Sequence, residues 1–396
     1  MRANDPAIPY PQPREIAARL AGRAVRVVTK PGFPGWERVS AAQQLLAEHV
    51  EARGGERACL IGCGHAAVGA ALALAVPGLR LALLDQSVVA LAMAGRTLAA
   101  NGVAGAALEE RVSLLPGAAG AFDLVVLETP PNRQLARRWL VEAHGLLRPG
   151  GRLYLAGMND QGIQSVIADA GALFGGATQL GYGGRARVAV AERGETGVAP
   201  PWAAAPGIAP GTWHELTVEV GGERLALRSL PGVFSYNRLD DGTRLLLEHM
   251  PPSGGKRVLD AGCGYGVIGI VAARRGAAAV DMVDASTLAL AAARQNIRLH
   301  GLQAANVLPS DGLQAVARRS YDLVLSNPPF HAGKAVDYDV AHVFIEQARL
   351  LLAPGGRLAL VANRFIRYDQ IMQGLFEHVE TLAQTRSFHV LAGSVA

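Results

Sequence analysis

Short apolar runs alternate with amphipathic segments along most of the chain. In the C-terminal half, VLDAG and VDMVD have the pattern of buried strands, and each precedes a segment with helical spacing of apolar residues, at residues 267–275 and 287–299. YDLVLSN predicts a further strand, and LLAPGGRLALVA predicts a helix end, a Pro-Gly-Gly turn and another strand. This alternation predicts an α/β fold with a mostly parallel sheet and helices on both of its faces.

The same order of blocks occurs twice. PGFPGWERVSAAQQLLAEH, from Pro31, aligns without a gap to PGVFSYNRLDDGTRLLLEH, from Pro231. CLIGCGHAAVGAAL then matches VLDAGCGYGVIGIV, FDLVVLETPP matches YDLVLSNPPF, and LLRPGGRLYLAG matches LLAPGGRLALVA. Recurrence at a nearly constant spacing predicts a tandem duplication of one α/β domain.

A segment rich in Pro, Gly and Ala separates the two copies. GETGVAPPWAAAPGIAPGTW predicts a linker at residues 195–212, between domains at residues 1–194 and 213–396. After it, HELTVEV alternates apolar and polar residues, and Gly221-Gly222 turns into ERLALRSL. This pattern predicts a hairpin at the start of the second domain.

Composition adds little beyond this. The 396 residues carry a formal net charge of +5, which suits a polyanionic partner and is also common among soluble enzymes. Cys59, Cys63 and Cys263 have no paired spacing, so we expect neither a disulfide framework nor a metal site. The N-terminus is polar and proline-rich, and the apolar runs are too short to span a bilayer. We therefore expect a cytoplasmic enzyme that is not bound to a membrane.

A glycine loop and two acids form a candidate cofactor site. DAGCGYG follows a strand and opens a helix, and glycines there let the backbone approach a cofactor closely. Asp284 ends the next strand, where a carboxylate can accept ribose hydroxyls, and Asp311 is placed to meet an adenine amine. Alternatively, both acids only cap helices or turns. The candidate cofactor-binding residues are Asp260, Gly262, Cys263, Gly264, Asp284, Ala285, Ser310, Asp311 and Asn327.

The chemistry is expected at SNPPF, where YDLVL ends. Pro328 and Pro329 hold a rigid turn that cannot continue as a helix. The Asn327 side chain and the Pro328 carbonyl can accept hydrogen bonds from a planar amine and aim its lone pair at an electrophilic methyl group. Phe330 offers a face on which a flipped base can stack. An ordinary surface turn is the alternative.

The order DAGCGYG, VDAS and SNPPF resembles that of class I methyltransferases that modify planar nitrogens. More narrowly, LPGVFSYNRLDDGTRLLL, LVLSNPPFHAG and GGRLALVANRFIRYD resemble the bacterial ribosomal-RNA guanine-N2 methyltransferases of the RsmC and RlmG type. That family also has a duplicated, degenerate N-terminal domain. The resemblance therefore covers the whole chain and implies two Rossmann-like domains in tandem, of which the second is catalytic.

The resemblance implies the cofactor S-adenosylmethionine and methyl transfer to N2 of a guanine in ribosomal RNA, with the small subunit (16S) as the expected source. It also implies that Phe234 and Ser235 lie over the cofactor, with residues 240–242 close by. The expected partner is ribosomal RNA or the small ribosomal subunit, and the chain is expected to be a monomer. Large-subunit RNA, tRNA guanine, DNA adenine and protein glutamine remain alternatives, as does a non-catalytic RNA-binding assembly factor.

The N-terminal copy lacks the side chains that carry this chemistry. Thr129 or Glu128 stands in the place of Asn327, and Ile61 or Leu60 replaces the first acid of the glycine loop. We therefore expect no catalysis there, and a role in RNA capture or chain stability. In the C-terminal copy, a phosphate-contacting rim at Arg364, Arg367 and Lys334 is a further expectation.

Overall fold

The computed structural model shows a chain of two compact units. The N-terminal unit comprises Gln12–His214 with Leu230–Gly232, and the C-terminal unit includes Glu215–Ser229 and Val233–Ala396. The residues described are 11–110, 119–195, 199–328, 331–332, 335–336 and 338–396.

The N-terminal unit begins with a hairpin and continues with alternating strands and helices. Its elements are β1 (Arg14–Leu20), β2 (Arg23–Thr29), α1 (Ala41–His49), β3 (Arg57–Ile61), α2 (Ala67–Ala75), β4 (Arg80–Asp85), α3 (Val88–Ala100), β5 (Ala107–Glu110), β6 (Phe122–Glu128), α4 (Arg133–Leu146), β7 (Leu147–Met158), α5 (Ile163–Phe174), β8 (Thr178–Gly183) and β9 (Ala186–Glu192).

The C-terminal unit repeats this order and adds a short hairpin after its fourth parallel strand. Its elements are β10 (His214–Val220), β11 (Glu223–Ser229), α6 (Asp241–His249), β12 (Arg257–Ala261), α7 (Val267–Arg274), β13 (Ala279–Asp284), α8 (Thr287–Leu299), β14 (Ala305–Pro309), β15 (Tyr321–Ser326), β16 (His331–Ala332), β17 (Ala335–Val336), α9 (Tyr338–Leu350), β18 (Leu352–Asn363), α10 (Tyr368–Gln373), β19 (His378–Gln384) and β20 (Phe388–Ser394).

The two large sheets have the same topology. Within the described residues, each has seven strands, in the orders β5-β4-β3-β6-β7-β9-β8 and β14-β13-β12-β15-β18-β20-β19. Five strands of each sheet are parallel, and the last two join antiparallel. The predicted duplication of a mostly parallel α/β domain is confirmed.

Local sequence signals explain where several helices begin. Ser286 caps α8 by accepting a hydrogen bond from the Ala289 N–H at 3.4 Å, and Asp240 caps α6 through the Thr243 N–H at 2.9 Å. Such oxygens satisfy amide groups that have no partner inside the helix. The helix predicted at 287–299 has those bounds, and the helix predicted at 267–275 ends one residue earlier, at Arg274.

The Pro-Gly-Gly segment differs from its expected form. A turn was predicted between helix and strand, but residues 354–356 lie within the bounds of β18. Tyr321 pairs with Leu352 whereas Leu323 pairs with Arg357, so the segment bulges out of the ladder. A left-handed residue, Gly355 at φ +71°, allows this bulge.

The segment rich in Pro, Gly and Ala packs on α4 of the N-terminal unit. Residues Pro201–Ala204 form a 3-10 helix, and the Arg137 guanidinium lies 5.0 Å from the centre of the Trp202 ring. Arg138 Nη1 donates to the Gly207 carbonyl at 2.7 Å. These contacts order a segment whose composition indicated only a linker. No helix in the described part of the chain has the length and apolar character needed to cross a bilayer.

Candidate active site

The glycine loop of the C-terminal unit is fastened to the end of the neighbouring strand β13. The N–H groups of Gly262 and Cys263 donate to the Val283 carbonyl at 2.9 and 3.0 Å, and the Gly264 N–H donates to Asp284 Oδ2 at 2.9 Å. Gly262 and Gly264 have φ of +75° and +55°, a region in which other residues are strained. The loop is therefore a preformed backbone cradle at the carboxyl edge of the sheet.

Both carboxylate oxygens of Asp284 accept backbone hydrogen bonds, and one of them holds the glycine loop. Its Oδ1 accepts from the Ser286 N–H at 2.8 Å, while Oδ2 accepts from Gly264. Burial raises the pKa of Asp284, and the backbone hydrogen bonds oppose that rise. A carboxylate can accept about four hydrogen bonds, so the group can still accept a hydroxyl hydrogen. A ribose contact at Asp284 fits this geometry.

The N-terminal unit has the same hydrogen bonds between its glycine loop and the neighbouring strand end. Asp85 accepts from the Gly64 N–H at 2.9 Å and from the Ser87 N–H at 2.8 Å. Gly62 is also required there, because a Cβ on it would lie 2.6 Å from the Trp139 ring. These residues therefore have a structural reason to persist in a unit that lacks the Asn-Pro pair.

Asp260 lies beneath the glycine loop. It is fully buried, and its Oδ2 accepts from the Gly269 N–H in α7 at 2.8 Å. Its Oδ1 has no hydrogen-bond partner among the described residues. Burial, opposed by the Gly269 bond, raises the pKa of Asp260 to about 7. In this structure its visible role is to anchor the first turn of α7, and direct contact with a cofactor stays a prediction.

The loop after β14 closes one side of the cradle. The Ser310 N–H donates to the Asp284 carbonyl at 3.0 Å, and Ser310 Oγ accepts from the Ala315 N–H at 3.1 Å. Asp311 follows at once, and its carbonyl accepts from the Gln314 N–H at 3.3 Å. Ser310 and Asp311 thus lie next to the end of β13, together with Ala285.

The turn before α6 lies beside the glycine loop. Tyr265 Oη, from that loop, donates to the Arg238 carbonyl at 3.3 Å, and Ser235 Oγ donates to the same carbonyl at 3.0 Å. Ser235 has φ +49° although it is not glycine, and the matching residue of the other copy is Gly35. Strained residues of this kind cluster at ligand sites. Phe234 is 66% exposed, as expected for a side chain that covers a ligand.

Asn327 follows β15, at the end of the strand next to the glycine loop. Its Nδ2 donates to Asp240 Oδ2 at 3.1 Å and to Thr243 Oγ1 at 2.8 Å. Because a carboxylate can only accept, Nδ2 must face α6, and Oδ1 occupies the opposite branch of the planar amide. Pro328 is buried next to it. The candidate residues Pro329 and Phe330 lie outside the described residues, as does Lys334.

Strand register identifies the N-terminal counterparts. The Gly62 N–H donates to the Leu84 carbonyl as the Gly262 N–H donates to Val283, so Leu60, two residues before Gly62, corresponds to Asp260. Leu60 pairs with Val126 and Asp260 pairs with Leu325, so Glu128 occupies the position of Asn327. Of the two alternatives considered at each site, the structure selects Glu128 over Thr129 and Leu60 over Ile61.

Both oxygens of the Glu128 carboxylate are engaged. Oε1 accepts from Ser40 Oγ at 2.9 Å, and Oε2 accepts from Gln43 Nε2 at 2.8 Å. Asn132, which follows the two prolines, caps α4 by accepting from the Gln134 and Leu135 N–H groups. The N-terminal edge therefore lacks the amide that the C-terminal edge presents.

Sequence reasoning missed the two partners of the Asn327 amide. Residues 240–242 were expected near the cofactor only through the family resemblance, and Thr243 was not singled out. A signal existed, since RVSAAQ and RLDDGT align in the two copies, and each has two polar residues three positions apart at the start of a helix. Nothing in the local sequence links either pair to a strand end more than 80 residues away.

The fold and this edge define a methyltransferase. A sheet with the glycine loop after its first strand, an acid after the second and an Asn-Pro pair after the fourth is the arrangement that the motif order predicted. The family described as Methyltransferase small domain matches residues 24–185 and, separately, residues 224–392. Both copies of the duplication are therefore covered.

Relatives define the family more narrowly. Ribosomal RNA small subunit methyltransferase C of Pseudomonas entomophila (strain L48) is 37% identical over 277 residues, which cover 68% of this chain and 78% of the relative. The protein of the same name from Chromohalobacter salexigens is 36% identical over 269 residues, 67% of this chain and 76% of the relative. The chain belongs to the ribosomal RNA small subunit methyltransferase C family, which confirms the resemblance seen in the sequence.

A solved structure agrees over nearly the full length. The T. thermophilus 16S rRNA N2 G1207 methyltransferase (RsmC), in complex with AdoMet and guanosine, superimposes with a TM-score of 0.79 at 32% identity. The match covers 97% of this chain and 98% of that one. The tandem arrangement of two class I methyltransferase domains is therefore a property of this chain as well.

Proposed function

We propose that the C-terminal unit transfers a methyl group from S-adenosylmethionine to the exocyclic N2 amine of a guanine in small-subunit ribosomal RNA. The observation that carries this proposal is the fixed Asn327 amide, held by Asp240 and Thr243 at the strand end next to the glycine loop. Its oxygen suits an NH2 group, and the loop suits an adenosine-containing cofactor. The guanine and the small subunit come from the relatives' names.

The residues at the sheet edge fit S-adenosylmethionine. The backbone of Gly262 and Gly264 would lie against the cofactor, Asp284 would accept its ribose hydroxyls, and Asp311 would meet its adenine amine. Phe234 and Ser235 would cover it from the turn before α6. When bound, this group supplies a methyl carbon made electrophilic by the sulfonium.

The chain's own contribution to the reaction is orientation. The amine of guanine is a weak nucleophile because its lone pair is delocalised into the ring. Asn327 Oδ1 and the Pro328 carbonyl accept hydrogen bonds from the two N–H groups of this amine. These hydrogen bonds favour a pyramidal nitrogen and direct its lone pair at the methyl carbon. Transfer would replace the methyl carbon's bond to sulfur with a bond to nitrogen, so the positive charge would pass from the sulfonium to the amine. The resulting ammonium is strongly acidic and would lose a proton to water without a dedicated strong base.

We infer that RNA reaches the site over the end of β18, the strand beside β15. Phe365 is 69% exposed there, and it and Phe234 are the exposed phenylalanines of the described chain. The exposed Arg364 precedes it, and the Arg364 N–H donates to the Ser387 carbonyl at 2.9 Å, which brings the exposed Arg386 alongside. An aromatic face beside two guanidinium groups suits stacked bases and phosphates of single-stranded RNA.

The N-terminal unit differs at the equivalent edge. Asn159 and Asp160 follow β7, and Arg185 of the β8–β9 turn lies 3.7 Å from Asp160. Arg187 donates to Asn159 Oδ1 at 3.0 Å, and its guanidinium lies 5.1 Å from the ring of the exposed Tyr182. This edge therefore also presents an aromatic face beside a guanidinium, and it supports RNA capture as well as a structural role for the unit. We further propose the domain bounds 1–194 and 213–396, a monomer, and action in the cytoplasm, where ribosomal subunits are assembled.

Transfer of labelled methyl groups in vitro tests the proposed function. The purified protein is incubated with labelled S-adenosylmethionine and, separately, with naked small-subunit RNA, assembled small subunits, large-subunit RNA, tRNA and protein. Nucleoside digestion is expected to place the label in N2-methylguanosine from small-subunit RNA or subunits. Label in adenine, glutamine or another RNA would show that the protein acts on that substrate instead. No transfer beside an active control enzyme would favour a non-catalytic assembly factor.

A further inference from the structure

We propose that Asp240 and Thr243 are positioning residues that set the polarity of the Asn327 amide, so that the site accepts an NH2 group and rejects a carbonyl oxygen. This inference rests on the proposed function and assigns its amine selectivity to two side chains at the start of α6. It is carried by the hydrogen-bond network and by its inverted counterpart in the N-terminal unit.

The three side chains form a closed network. Thr243 Oγ1 donates to Asp240 Oδ2 at 3.3 Å, and Asn327 Nδ2 donates both to Asp240 Oδ2 at 3.1 Å and to Thr243 Oγ1 at 2.8 Å. The Asp240 carboxylate can only accept, so it holds Nδ2 towards α6, and the Thr243 hydroxyl then donates to Asp240 and accepts from Asn327. Both neighbours of the amide are therefore acceptors, and a flipped amide would turn its oxygen towards two lone pairs.

Amide polarity has a direct chemical consequence. With Nδ2 held by α6, the branch available to a target base is Oδ1, an acceptor. Guanine carries a donor group at N2 and an acceptor at O6, so an accepting Asn327 attracts the first and repels the second. Selectivity by an unpaired or mismatched polar group is typically much stronger than selectivity by shape alone.

The N-terminal unit contains the same network with donors and acceptors exchanged. Ser40 and Gln43 align with Asp240 and Thr243, and both donate to Glu128, which aligns with Asn327. Two donors on the helix thus face an acid, whereas two acceptors face an amide. The helix residues match the strand residue in both copies.

Helix capping alone does not explain this match. Ser40 accepts from the Gln43 N–H at 3.1 Å and Asp240 accepts from the Thr243 N–H at 2.9 Å, so either residue caps its helix. The two pairs of helix residues differ in the side chain that they face, which is an acid in the N-terminal unit and an amide in the C-terminal unit. Asp240 and Thr243 therefore serve the amide as well as the helix.

Thr243 offers the cleaner test, because Asp240 is also the cap. Thr243→Val keeps the shape of a side chain that is only 6% exposed, and removes the oxygen that accepts from Asn327. Thr243→Ser restores that oxygen. Gln43→Leu is the matched control, since it breaks the equivalent network of the N-terminal unit without touching the C-terminal edge.

The experiment measures kcat, KM for RNA and S-adenosylmethionine affinity for each variant, together with hydrogen exchange of the Asn327 side-chain amide by NMR. For Thr243→Val we expect kcat to fall by about tenfold or more, with KM and cofactor affinity within about twofold. Its Asn327 amide hydrogens should exchange faster than in the wild type. Thr243→Ser should recover most of kcat, and Gln43→Leu should keep wild-type kcat even where its melting temperature falls.

Three results would overturn the proposal: wild-type kcat in Thr243→Val, a loss of kcat matched by an equal loss of cofactor affinity, or unchanged exchange of the Asn327 amide. The NMR measurement does not depend on turnover. If the wild type methylates no RNA, the proposed function fails while the exchange data still decide whether Thr243 holds the amide. Thr243→Ala, which also lacks the accepting oxygen, takes the place of Thr243→Val if that variant does not fold.

Discussion

Glu128 and Asn327 occupy the same strand position in the two units, and they make opposite hydrogen bonds. Glu128 accepts from Ser40 and Gln43, whereas Asn327 donates to Asp240 and Thr243. The duplicated domain thus offers an internal comparison between an edge that presents an amide and an edge that presents an acid. Substitutions at the two positions should consequently have different effects on methyl transfer.

Asn327→Ala is expected to abolish methyl transfer while leaving S-adenosylmethionine affinity within about tenfold, roughly 1.4 kcal/mol. The amide orients the amine, and the glycine loop and Asp284 are fastened independently of it. Single-turnover transfer and calorimetric cofactor titration measure the two quantities. Transfer near the wild-type rate would dismiss the orienting role of Asn327.

Glu128→Ala is expected to leave kcat within about twofold of the wild type, because both oxygens of this half-buried acid accept hydrogen bonds from Ser40 and Gln43. By the same reasoning, Glu128→Asn introduced into the Asn327→Ala variant should restore no transfer, since Leu60 stands in the place of Asp260 in the N-terminal unit. Steady-state assays of the three variants check this. Recovered activity in the double variant would show that the N-terminal edge can still bind cofactor and RNA.

The raised pKa of Asp260 predicts that the stability of the folded chain depends on pH. Its folded pKa of about 7 lies above the ordinary value of 3.8, so the folded chain retains a proton that the unfolded chain loses between these values. The unfolding free energy therefore falls as the pH rises from about 4 to about 7. Asp260→Asn removes this ionisation and can still accept from the Gly269 N–H.

The difference between Asp260→Asn and the wild type should consequently grow in favour of the variant across that pH range. Thermal unfolding of both proteins at several pH values measures it, in the absence of cofactor. Parallel profiles would mean that Asp260 ionises in the folded chain as readily as in the unfolded one.

Phe365→Ala is expected to raise KM for RNA by about tenfold, since stacking of a base on an aromatic side chain contributes about 1–3 kcal/mol. Cofactor affinity should not change. Leu299→Ala is the control, because Leu299 is a large, exposed apolar residue of the same unit at the end of α8. An unchanged KM for Phe365→Ala, or an equal effect of Leu299→Ala, would remove Phe365 from the RNA path.

Most of the fold could be predicted because its determinants are local. Strand and helix periodicity places α8 at Thr287–Leu299, and the Gly221-Gly222 turn predicts the hairpin of β10 and β11. The Pro-Gly-Gly bulge inside β18 escaped prediction, because it depends on how β15 pairs with that strand. The segment between the copies is ordered because it packs on α4, and this packing depends on side chains that are remote in sequence, Arg137 and Arg138.

The placement of candidate residues could be predicted where a residue type and a strand end coincide, as at Asp284 and Asn327. It was not predictable where a side chain acts on another across the fold. The burial of Asp260 beneath the loop, the choice of Glu128 as the counterpart of Asn327, and the role of Thr243 all require strand register or hydrogen bonds between distant segments. The duplication helps here, because an alignment of the two copies indicates which distant positions are in contact.

Nucleoside mass spectrometry of small-subunit RNA tests the central claim in the cell. The RNA is compared between a strain that lacks this protein and the same strain carrying either the wild type or Asn327→Ala. We predict loss of one N2-methylguanosine in the deletion strain, recovery with the wild type and no recovery with Asn327→Ala. An unchanged N2-methylguanosine content in the deletion strain, or full recovery with Asn327→Ala, would contradict the assigned chemistry.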